Sequence, residues 1–224
     1  MKAMILAAGR GERMRPLTNT TPKPLLVAGG KPIIQHTIEQ LVSAGFTEIV
    51  INIAHLGQQI QHTLGNGQQL GASIAYSDED ETALETAGGI INALPLLGDN
   101  PFLVVNGDIA NDYDFSQLNN KTIDLAHLVL IPNPEHHPEG DFQLLKNGMT
   151  TVQGESKLTF SGIGLYDPKL FASTQPGKTK LAPLLRSAMI DNKVTGEKFE
   201  GFWMDIGTPE RLQELDKRYL ENRI

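Results

Sequence analysis

The sequence predicts an α/β fold, in which a mixed and mainly parallel sheet is flanked by helices. Apolar, strand-like runs alternate with helical periodicity through the first half of the 224-residue chain, and this order typically builds parallel sheets. In the second half the apolar runs follow one another without long helices, so we expect some antiparallel pairing there. No repeat, low-complexity tract or linker divides the chain. We therefore expect a single domain over residues 1–224.

Periodicity and capping residues locate the elements. In the first helix Ile34 and Ile38 share one face, and Gly45 stands at the C-cap position. Before the last helix, Thr208 is a natural N-cap and Pro209 suits the first helical position. The predicted strands are 4–7, 48–53, 73–76, 102–105, 125–131, 142–145 and 159–166. The predicted helices are 32–44, 58–64, 87–94, 180–190 and 209–222.

Composition argues against several classes of function. The net charge of −7 disfavours non-specific binding to nucleic acid. The absence of cysteine removes disulfides, thiolate metal sites and cysteine nucleophiles. The first apolar run stops at Gly9 and is followed by Arg10 and Arg13, so it is too short for a signal peptide. We expect a cytoplasmic protein that binds neither nucleic acid nor membrane.

The strongest functional signal is the glycine- and arginine-rich segment 9–18, Gly-Arg-Gly-Glu-Arg-Met-Arg-Pro-Leu-Thr. Glycines let backbone N–H groups approach an anion, and Arg13 or Arg15 can make paired hydrogen bonds to phosphate. A strand-to-loop turn needs glycine as well, so a purely structural explanation stays open. The dinucleotide fingerprint is a weak match because Met14 replaces its third glycine, and the lysine of a P-loop is missing.

Three further charged residues lie in unusual settings. Lys23 stands between two prolines, which restrict where its ammonium group can reach. Asp108 follows a fully apolar strand, at the end where open α/β sheets bind ligands. Asp205 interrupts a strongly apolar segment, where an ionised carboxylate needs a partner or a metal ion. The ordinary explanations are a solvated side chain for Lys23, an Asn-Gly turn for Asp108, and a salt bridge or helix cap for Asp205. If functional, the two carboxylates could hold magnesium together with substrate phosphates.

These pieces together resemble the nucleotidyltransferase superfamily that makes nucleotide sugars. Its members open with Gly-x-Gly-x-Arg-(Met/Leu)-x-Pro-Leu-Thr, continue with Pro-Lys-Pro, and hold a metal ion with two distant aspartates. The resemblance implies a Rossmann-like nucleotide-diphospho-sugar transferase fold without a C-terminal β-helix, and hence a monomer. It implies that Asp108 and Asp205 bind Mg²⁺, that Lys23 stabilises the α-phosphate, and that Arg13 holds pyrophosphate. The implied nucleotide-binding residues are Ala8, Gly9, Gly11, Glu12, Arg13, Lys23, Thr86 and Gly88.

Within the superfamily, the chain is similar to the bacterial uridylyltransferases of N-acetylmuramate 1-phosphate, which serve peptidoglycan recycling. The similarity lies in local segments such as Leu-Glu-Thr-Ala-Gly-Gly-Ile at 84–90 and Lys-Leu-Ala-Pro-Leu-Leu-Arg at 180–186. It implies UTP and a sugar 1-phosphate as substrates, with pyrophosphate released. The implied sugar-binding residues are Asn106, Asp141, Glu155 and Lys180, with Lys178 or His137 for the lactyl carboxylate.

Glu155 lies in Gly-Glu-Ser-Lys, whereas hexose-specific relatives have Glu-Lys-Pro, and this departure favours a substrate other than glucose 1-phosphate. Transfer from dTTP or GTP to a hexose phosphate nevertheless stays open. So does a phosphocholine cytidylyltransferase, which would need aromatic walls that a single tryptophan and four tyrosines supply poorly. A non-catalytic nucleotide-sensing subunit is disfavoured because Lys23, Asp108 and Asp205 are all present.

Overall fold

The structure, a computed structural model, describes residues 1–79 and 84–221. Its five α-helices within these ranges agree with the five predicted segments, with shifted ends. They are α1 (Ile33–Ser43), α2 (Gly57–Leu64), α3 (Glu85–Leu97), α4 (Leu181–Ile190) and α5 (Pro209–Leu220). The predicted end of the last helix at residue 222 lies outside the described residues.

The strands are more numerous than the sequence predicts, because short pairs and an edge strand join the seven expected ones. They are β1 (Ala3–Leu6), β2 (Val27–Ala28), β3 (Lys31–Pro32), β4 (Glu48–Ile53), β5 (Ser73–Asp78), β6 (Phe102–Asn106), β7 (Ile109–Asn111), β8 (Ala126–Ile131), β9 (Phe142–Leu144), β10 (Thr150–Thr151), β11 (Lys157–Tyr166), β12 (Val194–Lys198) and β13 (Trp203–Asp205).

The main sheet has the order β5-β4-β1-β6-β11-β8-β12, and β9 and β10 extend it at the start of β11. Strand β1 lies between β4 and β6 and is parallel to both. Strand β11 is antiparallel to its neighbours β6 and β8, while β12 is parallel to β8. The predicted mixed and mainly parallel sheet is therefore confirmed. The carboxyl ends of β1, β4, β5 and β6 meet at one edge of it.

Two apolar cores cover the two faces of this sheet, which confirms the predicted helices on both sides. Helices α1 and α2 pack on one face through residues such as Ile38 and Ile60. Helices α3 and α4 pack on the other through residues such as Ile90 and Leu185. Helix α3 continues past its predicted end at residue 94 and includes Pro95. Burial explains this extension, because Leu97 in the last turn is buried in the second core.

A third, smaller apolar cluster lies apart from the sheet and joins segments that are distant in sequence. It contains Met14 of the glycine-rich segment, Ala110 of β7, Ile206 after β13 and Leu215 of α5. Strands β7 and β13 pair antiparallel within it, as do β2 and β3. Sequence reasoning missed these two-residue and three-residue strands because they are shorter than any reliable periodicity.

A charged cluster near β12 predicts how stability depends on pH. Glu197 accepts hydrogen bonds from Tyr113, from Lys121 Nζ at 2.6 Å and from His127 Nε2 at 3.0 Å. These bonds, the one from His127 foremost, lower the pKa of Glu197 from 4.5 to about 2. A carboxylate whose pKa is lowered in the folded state stabilises the fold above its unfolded pKa, and this stabilisation is lost as the pH falls.

We therefore expect Glu197→Gln to lower the free energy of unfolding by about 1–2 kcal/mol at pH 7, a figure reduced for the partial exposure of the site. Urea unfolding should show a constant deficit down to about pH 4.5, shrinking as the pH approaches 2. The control Glu200→Gln removes an exposed pair with Lys198 and should change nothing measurable. A deficit in Glu197→Gln that grows on acidification would contradict the assignment.

Candidate active site

A cleft of about 420 Å³ opens at the carboxyl ends of β1, β4, β5 and β6. This is the edge where open α/β sheets bind their ligands. Backbone from the glycine-rich segment forms one wall, and the residues that follow β6 form another. The cleft therefore lies where the sequence places its phosphate-binding loop and its first aspartate.

The glycine-rich loop depends on Gly11 for its shape. Gly11 has a φ of 62°, and a Cβ atom there would lie 2.9 Å from Thr18 Cγ2 and 3.2 Å from Lys23 Cβ. Thr18 donates from Oγ1 to the Gly11 carbonyl over 2.8 Å and closes the loop. Met14, which occupies the place of a third glycine, is fully buried in the third apolar cluster and anchors the loop. Arg13, its neighbour, stays exposed.

Lys23 and Asp108 form an ion pair at the cleft. Lys23 begins a short 3₁₀ turn between its two prolines, and its side chain is 9% exposed. Its Nζ lies 2.6 Å from Asp108 Oδ2, and the Asp108 side chain is 42% exposed. The turn that carries Asp108 packs closely on β1 through Gly107, because a Cβ atom at Gly107 would lie 2.6 Å from the Leu6 carbonyl oxygen. A buried ammonium group thus faces a solvent-accessible carboxylate.

The two candidate metal ligands come together through the pairing of β7 with β13. Asp205 lies opposite Ile109, and the backbone N–H of Ile206 donates to the Asp108 carbonyl over 2.8 Å. The Asp205 carboxylate contacts Arg211 Nη1 at 2.6 Å through Oδ2 and His136 Nε2 at 3.2 Å through Oδ1. This cluster is open to solvent, since the side chains of Asp205 and Arg211 are 22% and 26% exposed.

The predicted nucleotide-binding residues divide into two groups. Ala8, Gly9, Lys23 and Thr86 line the cleft. Gly88 does not, because its backbone N–H donates to the Thr179 carbonyl and a Cβ atom would lie 2.3 Å from the Gly177 carbonyl oxygen. Gly88 instead lets α3 begin in contact with the segment before α4.

The remaining two residues of the loop lie towards solvent. Arg13 lies beside Gly207 and thus near Asp205, with its Nη1 3.3 Å from the position of a Gly207 Cβ atom. Glu12 is exposed and lies 3.9 Å from Arg15, which is an ordinary surface pair. The structure thus brings Arg13, but not Glu12, next to a candidate metal ligand.

The predicted sugar-binding residues are more scattered. Asn106 lines the cleft at the end of β6 and packs on Gly162, where β11 is bulged. Asp141 accepts from the Phe160 N–H over 2.8 Å, so it supports the start of β11 near this bulge. Glu155 is exposed in the turn before β11, and Lys180 is the exposed N-cap residue of α4. Neither lines the cleft, whereas Lys178 does.

Sequence reasoning missed a buried polar brace in the wall of the cleft. Asn52 accepts from the Ala7 N–H over 2.7 Å and donates to Glu79 Oε1 over 2.6 Å. Glu79 Oε2 accepts from the Leu84 N–H over 3.0 Å. Gly89 of α3 makes room, because a Cβ atom there would lie 2.4 Å from Glu79 Oε1. The sequence did hold a signal for this brace, because Asn52 stands near the end of the largely apolar β4 and Glu79 directly follows β5.

Comparison with known proteins identifies the family. The family model for nucleotidyl transferases matches residues 2–222. The chain belongs to the nucleotidyl transferase family. It is 55% identical over 222 residues to the N-acetylmuramate alpha-1-phosphate uridylyltransferase of Neisseria meningitidis serogroup B, covering 96% of each chain. It is 34% identical to the enzyme of that name from Caulobacter vibrioides, covering 98% of this chain and 97% of the relative.

A solved structure supports the fold of this nucleotidyl transferase. A Bacillus anthracis protein assigned as a glucose-1-phosphate thymidylyltransferase superposes with a TM-score of 0.85 at 26% identity. The match covers 98% of this chain and 95% of that one. The described residues of this family member form no C-terminal β-helix, as expected. Within the same residues no helix has both the length and the apolar character that a membrane span requires.

The polar brace gives a prediction for the cleft. We expect Glu79→Gln to lower the free energy of unfolding by about 1–3 kcal/mol, because an amide cannot accept from both Asn52 and Leu84. Nucleotide affinity, measured by calorimetry, should fall as well, since Asn52 also holds the backbone of Ala7 in the loop. Glu85→Gln is the matched control: Glu85 lines the cleft and is exposed, with no hydrogen-bond partner among the described residues. Equal unfolding curves for the two variants would refute the role of the brace.

Proposed function

We propose that the chain is a magnesium-dependent uridylyltransferase that converts UTP and N-acetylmuramate 1-phosphate into UDP-N-acetylmuramate and pyrophosphate. The observation that carries this proposal is the 55% identity to the Neisseria relative over 96% of the chain. The geometry supports it, because Lys23 and Asp108 line one cleft and the pairing of β7 with β13 brings the backbone of Asp205 close to that of Asp108. The proposed setting is peptidoglycan recycling in the cytoplasm, with the enzyme acting as a monomer.

The reaction needs positioning and electrostatic stabilisation more than acid–base chemistry. An oxygen of the sugar phosphate attacks the α-phosphorus of UTP in line, and pyrophosphate leaves. The attacking phosphate is already ionised, so no protein base is needed. Lys23 is nearly buried and held between two prolines, so its ammonium group is preorganised to stabilise charge on the α-phosphate. Arg13, which is exposed beside Gly207, is proposed to hold the leaving pyrophosphate.

The chemistry of the donor set fits magnesium. Asp108, directly before β7, and Asp205, at the end of β13, offer hard oxygen donors, and Mg²⁺ typically takes one or two carboxylates together with substrate phosphates. The described residues contain no cluster of three or more acidic or histidine side chains that would suggest a fully protein-ligated metal. Asp108 and Asp205 would hold the ion, which supplies charge stabilisation at the phosphates.

The base and the sugar would bind at opposite ends of the cleft. The backbone of the loop from Ala8 to Gly11 and the turn at Thr86 offer donors and acceptors for uracil. Asn106 and Asp141, next to the β11 bulge, are proposed to contact the sugar. Lys178 is exposed and lines the cleft, so it is the better placed of the two residues suggested for the lactyl carboxylate. His137 contacts Asp141 at 3.2 Å instead.

The substrate proposal is tested by pyrophosphate release from UTP, CTP, dTTP and GTP with a panel of sugar 1-phosphates. We expect the highest kcat/KM for UTP with N-acetylmuramate 1-phosphate. The N-acetylglucosamine analogue should be poorer, because it lacks the carboxylate that Lys178 would bind. Higher kcat/KM for a hexose phosphate with dTTP or GTP, or for phosphocholine with CTP, would replace the proposal with the corresponding activity.

The ligand assignment is tested by isosteric substitution. Asp108→Asn and Asp205→Asn should each lower kcat by at least about 10²–10³-fold, because a preorganised electrostatic contact is lost. Asp99→Asn, in the loop before β6 at the opposite end of that strand, is the control and should retain full activity. Circular dichroism should show an unchanged fold for all three. Full magnesium-dependent turnover in either site variant would remove that residue from the ligand set.

A further inference from the structure

Each of the two proposed metal ligands is paired with a cationic side chain of the chain itself. Asp108 is paired with Lys23 Nζ at 2.6 Å. Asp205 is paired with Arg211 Nη1 at 2.6 Å, and its second oxygen faces His136. The Lys23 pair involves a residue already assigned to the reaction, whereas sequence reasoning gave Arg211 no role.

The position of Arg211 in its helix is unusual for a purely structural cation. Helix α5 starts at Pro209, so Arg211 lies in its first turn, where the helix dipole disfavours positive charge. The other charges in the two end turns of α5 follow the dipole, with Glu210 in the first turn and Lys217 and Arg218 in the last. Arg211 therefore depends on Asp205 for its favourable electrostatics.

The contact also differs from an ordinary pair along a helix. It crosses from the end of β13 over the turn that Thr208 caps, and Arg211 Nη1 also reaches the Asp205 carbonyl at 3.5 Å. Arg218, by contrast, pairs with Glu214 one turn away on the same helix at 2.8 Å. Arg211 thus brings a cation to the carboxylate at which the metal ion is expected.

We infer that the Arg211 guanidinium and the metal ion compete for the Asp205 carboxylate. This inference rests on the proposed function, because it takes Asp205 as a metal ligand. A divalent ion can bind Asp205 fully only when the Arg211 guanidinium moves away from Oδ2, and anionic substrate phosphates offer that guanidinium another partner. Free metal therefore binds weakly, and metal and substrate load together.

The test measures binding of Mn²⁺, as a probe for Mg²⁺, by electron paramagnetic resonance without nucleotide. Arg211→Gln should bind Mn²⁺ at least about threefold more tightly than the wild type, because a partly exposed ion pair no longer competes. Arg218→Gln removes a comparable arginine from the same helix and should leave the affinity unchanged. Arg211→Met provides a second variant, and circular dichroism verifies that each protein is folded.

The same measurements separate the possible failures. Unchanged or weaker Mn²⁺ binding in Arg211→Gln and Arg211→Met, with binding still weakened by Asp205→Asn, would overturn the competition and leave the ligand assignment standing. If Asp205→Asn leaves the Mn²⁺ affinity unchanged, both alone and combined with Arg211→Gln, then Asp205 does not belong to the proposed ligand set. That result would also overturn the competition. Tighter binding in Arg211→Gln that Asp205→Asn abolishes supports the inference.

Discussion

The short antiparallel pairing of β7 with β13 is the contact on which the candidate site depends. It joins segments almost a hundred residues apart and brings the backbone of Asp108 and Ile206 within hydrogen-bond distance. Few hydrogen bonds hold so short a pair, so apolar packing must support it. The third apolar cluster supplies that support, since Met14, Ala110 and Ile206 bury the same small core. The glycine-rich loop and the backbone that carries both carboxylates are thus supported by the same apolar cluster.

A second constraint acts inside the cleft, where polar groups are buried. Asn52 and Glu79 are almost fully buried, and their side-chain contacts connect the ends of β1, β4 and β5 to the start of α3. Buried polar groups are tolerated when each is hydrogen-bonded, and a satisfied network rigidifies its surroundings. The loop wall and the start of α3 are consequently held at a fixed separation, as a preformed nucleotide pocket requires.

Two ion pairs set the local electrostatics of the site. Lys23 pairs with Asp108 and Arg211 pairs with Asp205, so each candidate metal ligand has a cationic side chain beside it. Such an arrangement suits an enzyme whose substrates are themselves polyanions, because the same cations can exchange a carboxylate for a phosphate. Partial exposure of Asp108, Asp205 and Arg211 keeps this exchange possible, since water is available to each charge during the change of partners.

The sequence by itself determined the α/β class and the helices on both sheet faces, and it singled out Lys23, Asp108 and Asp205 as candidate site residues. Periodicity and local restraint, such as two prolines around one lysine, are properties of neighbouring residues and can be read directly from the chain. The tertiary structure decided what depends on distant contacts: the β7–β13 pair, the brace from Asn52 to Glu79, and the Arg211 contact. It also decided that Gly88, Glu155, Lys180 and Asp205 do not line the cleft. Local pattern does not encode which face of a loop meets a cleft, because packing between remote segments sets that direction.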